Sequence, residues 1–277
     1  LEKDYKIKVS YVSILSDGTI DYDSLKDLLE STEKTLVSLM HINNEIGTIL
    51  ELKKVADLCK SKDALFHSDS VQSVGHYHLD LQTTPIDFLA ASAHKFHGPK
   101  GIGFVYIRKN SGLKPLIHGG TQERGVRAGT ESIHDIVGLD TSLAIAYENL
   151  EAEMIHIKAL KLYFIEQLKK TIVGVKFNGC CSDSEKSTYT LVNVCLPVSE
   201  ANAPMFLFQL DLKGIACSKG SACQSGSDKG SHVLSQILSE ADLKKPSIRF
   251  SFSIYNTKEE IDSVVETLKT LINPAIS

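Results

Sequence analysis

Hydrophobic positions in the first half of the chain alternate between short continuous runs and helical spacing. Residues 35–41 read TLVSLMH, an apolar, β-branched run; residues 51–60 place Leu52, Val55, Ala56 and Cys59 on one helical face; residues 64–68 are apolar again. That order predicts a βαβ unit, with parallel strands joined by a right-handed crossover. Residues 86–90 and 102–108 continue the strand pattern, separated by the stretch HGPKGIG. An earlier helix is predicted over 22–30, with Leu25, Leu28 and Leu29 on one face and Asp21 or Asp23 as caps. A helical pattern then runs over 136–171, too long for one ordinary helix, and predicts a bridge that breaks within 151–156. Beyond it the spacing predicts strands over 173–177 and 189–196, a helix over 205–212, a Ser/Gly-rich loop, a helix over 233–238, a strand over 247–252 and a final helix over 258–271. The expected architecture is α/β, with a first domain over 1–145 and a smaller α+β domain over 146–277.

Composition narrows the function. With 42% hydrophobic and 23% charged residues the chain is neither disordered nor fibrous. The formal charge of -4, from 34 acidic against 30 basic residues, leaves no broad cationic field for nucleic acid or an anionic membrane surface, so a small-molecule partner is expected. No apolar run approaches the ~18 residues of a membrane span and no signal peptide is evident, which predicts a cytoplasmic protein with free thiols. Six cysteines occur without CxxC spacing, so no metal site is expected and any important cysteine is a nucleophile. The chain opens at Leu1 on a segment already under way, which predicts that N-terminal sequence is missing.

Four stretches carry candidate chemistry. Asp69 ends a buried strand, where α/β sheets place ligand-binding residues; its carboxylate would hold a protonated ring nitrogen or cap the following turn. Lys95, between His94 and His97 and ahead of a glycine-rich turn, is a Schiff-base candidate if partly desolvated and a solvated loop lysine otherwise. The run GGTQERGVRAGT, over 119–130, suits a phosphate or a subunit contact, or is a plain loop, and lacks P-loop spacing. Cys223 sits in a Ser/Gly-rich loop beside Lys219, the setting of a reactive thiolate, whereas Cys195 and Cys217 read as buried. Only Arg108, Arg124, Arg127 and Arg249 are arginines, each a candidate fork for an anion or a partner in a surface salt bridge. Arg249, in a strand with apolar neighbours on alternate sides, is expected to face a cleft and a substrate carboxylate.

Taken together, HINNEIG (41–47), FHSDSVQSVG (66–75), SAHKFHGPKGIG (92–103), HGGTQERGVRAGT (118–130), GSACQS (220–225) and SIRFS (247–251) resemble the cysteine desulfurases of the NifS/IscS type, within the class-V aminotransferases and the fold-type I pyridoxal 5'-phosphate enzymes. The resemblance implies a mainly parallel sheet flanked by helices plus the smaller C-terminal domain. It implies that Lys95 carries the cofactor as a Schiff base, that Asp69 pairs with the pyridinium nitrogen, and that Gln72 and Asn44 lie near the ring oxygen. Ser92 and His94 would be phosphate ligands, with Thr130 supplying another from the partner subunit of a homodimer. Asn44 and Arg249 would bind the carboxylate of L-cysteine. Cys223 would take the substrate sulfur as a persulfide, releasing alanine, and hand it to an acceptor such as an iron–sulfur scaffold protein. Lys219 stands where the family motif has Ser, and Cys217 adds a second thiol near Cys223. A selenocysteine lyase, a related class-V aminotransferase, or a module that only dimerises and docks a partner are the alternatives.

Overall fold

The computed structural model describes residues 7–220 and 230–273. Its chain divides into two compact units. One comprises Leu29–Ile42 and Glu51–Leu150; the other comprises Leu1–Leu28, Asn43–Leu50 and Glu151–Ser277. This differs from a single cut between 145 and 146. The passage along the chain falls at Leu150, and Asn43–Leu50 joins the C-terminal unit because its backbone pairs there. Ile49 N donates to Lys186 O at 2.9 Å and Thr188 N to Gly47 O at 2.8 Å.

The first unit is built on a four-stranded sheet, β1 (Leu36–Met40), β2 (Leu65–Asp69), β3 (Phe88–Ser92) and β4 (Gly103–Ile107), in that spatial order. β1 and β2 pair in parallel, as do β2 and β3, and Met40, Asp69 and Ala90 stand side by side in register. A helix between β1 and β2 (Leu52–Ser61) buries Leu52, Val55, Ala56 and Cys59, the face that the spacing predicts. β4 departs from the parallel expectation and runs antiparallel to β3. The reason is length: a parallel return needs a crossover of about a dozen residues or more, and the connection here holds only a 3₁₀ turn, Ala93–Phe96, before the chain re-enters the sheet.

The helical run after the sheet breaks at Asn149, ahead of the expected 151–156, giving helices Ile133–Glu148 and Leu150–Thr171. Asn149 breaks it by turning its own side chain on the backbone: Nδ2 donates to Ile145 O at 3.0 Å, the carbonyl that its backbone N–H also uses.

The second unit holds the antiparallel sheet β5 (Lys176–Phe177), β6 (Leu191–Cys195) and β7 (Ser247–Ser251), with β6 central. Val173, expected in β5, is 93% exposed, and only Lys176 and Phe177 pair. Phe164, Leu168, Val192, Val194, Phe206, Leu210, Ile248, Phe250, Val265 and Leu268 form one buried cluster against this sheet. Helices Ala203–Leu212 and Lys258–Ile272 supply one wall each. The last helix starts at a capping box, Thr257 with Glu260, which satisfies two backbone donors at its first turn. A short helix at Glu240–Leu243, which the spacing does not predict, precedes β7. Among the described residues no helix is long and apolar enough to cross a membrane.

Candidate active site

The sequence-predicted residues fall into two groups, one in each unit. In the first unit, Asp69, Ser92, His94 and Lys95 lie at the carboxyl ends of β2 and β3 and on the turn that follows. Asp69 takes up the capping reading. Its Oδ1 accepts from Val71 N at 3.0 Å, capping the turn that carries Gln72, and among the described residues its second carboxylate oxygen has no hydrogen bond. Ser92 is half-buried and its hydroxyl does not cap the 3₁₀ turn that it precedes. Lys95 is half-buried on that turn and His94 is exposed.

The Lys95 turn is gripped from two sides. From one side comes the segment after β2: His76 Nε2 bonds to Lys95 O at 2.9 Å, and a Cβ at Gly75 would stand 2.6 Å from the Cβ of Phe96. From the other comes the helix Ile133–Glu148, where a Cβ at Gly98 would meet Ser142 Oγ at 2.5 Å. Glycine therefore lets the side chains of Phe96 and Ser142 pack directly on the backbone around the lysine, and His97, with φ 64, turns the chain out of the 3₁₀ turn. Tyr147 reaches from the same helix to donate to Tyr77 O at 3.3 Å. His76 is a site residue that the sequence reading did not single out, and its position directly after the FHSDSVQSVG motif was the available signal.

His41 follows β1 and is buried against Tyr77, the two rings 6.1 Å apart. Burial pushes its imidazole down to about 4, so the ring is neutral near pH 7. Thr130 is exposed at the end of a loop that folds on itself, with Gly129 N donating to Gln122 Oε1 at 3.2 Å.

One of the other arginines is spent inside the fold. Arg108 spends its guanidinium on main-chain carbonyls, Nε on Ile86 O at 2.8 Å and Nη2 on Leu81 O and Thr84 O at 3.1 and 3.2 Å. Arg127 donates to Ala128 O at 2.7 Å, and Arg124 is exposed.

The second group centres on the loop that contains Asn44. Four successive carbonyls of this loop are each met by a donor from the second unit. Arg249 Nη1 donates to Asn44 O at 2.7 Å, Asn193 Nδ2 to Glu45 O at 3.0 Å, Cys181 Sγ to Ile46 O at 2.8 Å and Thr188 N to Gly47 O at 2.8 Å. Asn193 is itself held by Asn178 Nδ2, which donates to its Oδ1 at 2.8 Å. Lys161, 3% exposed, donates to Ser187 Oγ and Thr188 O at 2.9 and 2.6 Å and steadies the neighbouring segment. Burial lowers the Lys161 ammonium to about 8.

Arg249 is half-buried in β7, as its alternating neighbours predict. Its Nη2 donates to Ser218 Oγ at 3.4 Å, while its Nε is buried with no hydrogen bond among the described residues. Burial lowers its pKa and the charge of Glu45 acts the other way. A desolvated guanidinium with an unsatisfied donor is ready for an anionic acceptor. Cys217 is half-buried and its thiol is raised to about 11, by burial first and then by Asp211, so it is not a ready thiolate. Cys223 lies outside the described residues. Of the functional residues here, Asn193 gave one signal in the sequence, a lone amide inside the apolar run LVNVC; Cys181 gave none.

A family model for aminotransferase class-V matches residues 1–264. The chain belongs to this family. Two relatives of this class-V chain are named cysteine desulfurase IscS. The one from Dictyoglomus turgidum is 38% identical over 265 residues, covering 96% of this chain and 66% of that protein. The one from Clostridium botulinum is 40% identical over 272 residues, covering 98% and 67%. Among solved structures, a NifS-like protein from Rickettsia africae matches with TM-score 0.85 at 29% identity, covering 98% of this chain and 71% of that one. SspA, solved in complex with cysteine, matches with TM-score 0.73 at 29% identity, covering 91% and 68%. The chain thus spans about two-thirds of the length of the curated relatives that it matches.

The residues at the β2 and β3 ends fit pyridoxal 5'-phosphate. A lysine amine, a carboxylate with one oxygen free of internal hydrogen bonds and a half-buried serine hydroxyl not spent on capping stand at the carboxyl ends of two neighbouring strands, the donor set that the aldehyde, ring nitrogen and phosphate of the cofactor require.

Proposed function

We propose that this class-V chain carries the catalytic machinery of a pyridoxal phosphate-dependent cysteine desulfurase, which moves sulfur from L-cysteine to Cys223 and releases L-alanine. The observation that carries the reading is Arg249: a half-buried guanidinium, Nη1 committed to Asn44 O at 2.7 Å and Nε buried without a partner among the described residues. An amino-acid carboxylate supplies the missing acceptor.

When bound, the cofactor acts as an electron sink for the electron pair freed at the substrate Cα. Lys95 Nζ is the attachment point, and the free Asp69 oxygen keeps the ring nitrogen protonated. Gln72 would hydrogen-bond the ring oxygen, with Asn44 near it; Ser92, His94 and Thr130 of the partner subunit would hold the phosphate. Arg249 fixes the substrate carboxylate, with Asn44 beside it. Cys223 as thiolate attacks the substrate sulfur: an S–S bond forms, the Cβ–S bond breaks, and the electron pair left on Cβ takes a proton to give alanine. The persulfide then passes to an acceptor protein such as an iron–sulfur scaffold. Apolar side chains exposed on the first unit, Leu116 at 86%, Ile133 at 65% and Val137 at 58%, support a homodimer.

The test adds pyridoxal phosphate to the chain, reduces with borohydride and maps the modified lysine by mass spectrometry beside Lys95→Ala. Near-stoichiometric labelling at Lys95, followed by alanine and a Cys223 persulfide on addition of L-cysteine, is the expected result. Scattered labelling that is equal in the control overturns the reading.

A further inference from the structure

We propose that Glu45 is a positioning residue for the sulfur-accepting segment, holding in place both stems between which residues 221–229 run. The role given to that segment rests on the desulfurase reading; the anchoring itself does not.

Glu45 is 0% exposed, an unusual place for an acidic side chain. Its Oε2 accepts from Ser231 Oγ at 2.5 Å, and a Cβ built on Gly220 would come within 3.4 Å of the same oxygen. One carboxyl oxygen therefore bonds to a residue of the stem at which the described chain resumes and faces, without a hydrogen bond, the residue at which it stops before 221. Each stem has a second anchor. Ser218 pairs with Arg249 in both directions, Ser218 N to Arg249 O at 3.1 Å and Arg249 N to Ser218 O at 2.7 Å, so the first stem is fastened to β7. Ser231 Oγ, while donating to Glu45, accepts from Val233 N and Leu234 N at 3.2 and 3.0 Å, so the second stem is fastened to the start of the helix Leu234–Ile237.

The two anchors meet in the Asn44–Glu45 backbone. Arg249 grips Asn44 O and Asn193 grips Glu45 O, so the guanidinium read as the carboxylate ligand is bound at one residue of a pinned loop and the carboxyl that holds the stems is carried by the next. A buried carboxyl costs free energy that an apolar side chain would not. Glu45 Oε1 has no partner among the described residues, so hydrogen bonding only partly offsets that cost. What the acid contributes in return is a fixed distance between the stems and the substrate-binding arginine.

The test compares hydrogen exchange in the full chain with Glu45→Gln and Ser231→Ala. Gln keeps the shape and an acceptor but loses the charge and leaves the Ser231 cap in place; Ala at the half-buried Ser231 removes the bond to Glu45 together with the acceptor of Val233 N and Leu234 N. Exchange over 218–220 and 231–237 is expected to accelerate about tenfold in both variants, the scale of one lost hydrogen bond, with β6 unchanged. Persulfide formation at Cys223 is expected to fall about tenfold while borohydride labelling of Lys95 stays as in the parent. If β6 also exchanges faster in Glu45→Gln, the unit has loosened as a whole and Ser231→Ala decides. Unchanged exchange at both stems in Ser231→Ala overturns the proposal. A parent chain that forms no persulfide counts against the desulfurase reading and leaves the exchange test standing.

Discussion

Arg249 Nη1 donates to the carbonyl oxygen of Asn44 at 2.7 Å, joining two residues 205 positions apart. This bond sets the guanidinium so that its Nε remains without a partner among the described residues. Arg249→Lys keeps the positive charge but loses the planar fork. It should raise the KM for L-cysteine by about 10- to 100-fold with kcat less affected. Alanine formation against cysteine concentration measures it, and an unchanged KM would remove Arg249 from the substrate site.

Asn193 spans Glu45 O and Asn178 in a fully buried strand. Asn193→Ala leaves a buried carbonyl and a buried amide without their partner. Urea unfolding should show a loss of roughly 2–3 kcal/mol with the slope unchanged. A loss under about 0.5 kcal/mol would mean that water replaces the amide without penalty.

Gly75 combines φ 81 with a Cβ position 2.6 Å from Phe96 Cβ. Gly75→Ala meets both a disfavoured backbone conformation and a steric overlap beside the Lys95 turn. It should cost about 2–4 kcal/mol and weaken cofactor trapping at Lys95 in parallel. Thermal unfolding and borohydride labelling on the same preparation check both; full stability would show that Phe96 moves aside freely.

His41 gives a pH signature. Burial holds its folded-state pKa at about 4, below the ordinary 6.5. The unfolded chain therefore binds more protons between these values, and the contribution of His41 to stability is lost as pH falls from 6.5 through 4, on the order of 3 kcal/mol in all. Replacement by Asn, which does not titrate, should flatten the stability profile over that window alone. Parallel profiles for the two proteins between pH 4 and 7 would refute the assignment.

The sequence by itself determined what local physics controls. Alternation and helical spacing placed the strands of the parallel core and the buried face Leu52, Val55, Ala56 and Cys59, because side-chain period follows directly from backbone geometry. It also placed Asp69 and Lys95 at strand ends and Arg249 in a half-buried strand, since each lies within a few residues of its own run. Tertiary structure decided the rest. β4 turned antiparallel because its connection was too short for a crossover, a fact of spatial reach rather than residue type. Arg108 was claimed by three carbonyls that lie 22 to 27 positions before it. The loop at Asn44–Gly47 was pinned by donors from Cys181, Asn193 and Arg249, 135 to 205 residues on, and Glu45 found Ser231 from 186 residues away. A buried carbonyl must be satisfied, but which side chain satisfies it depends on which segments the packed core brings within hydrogen-bond reach.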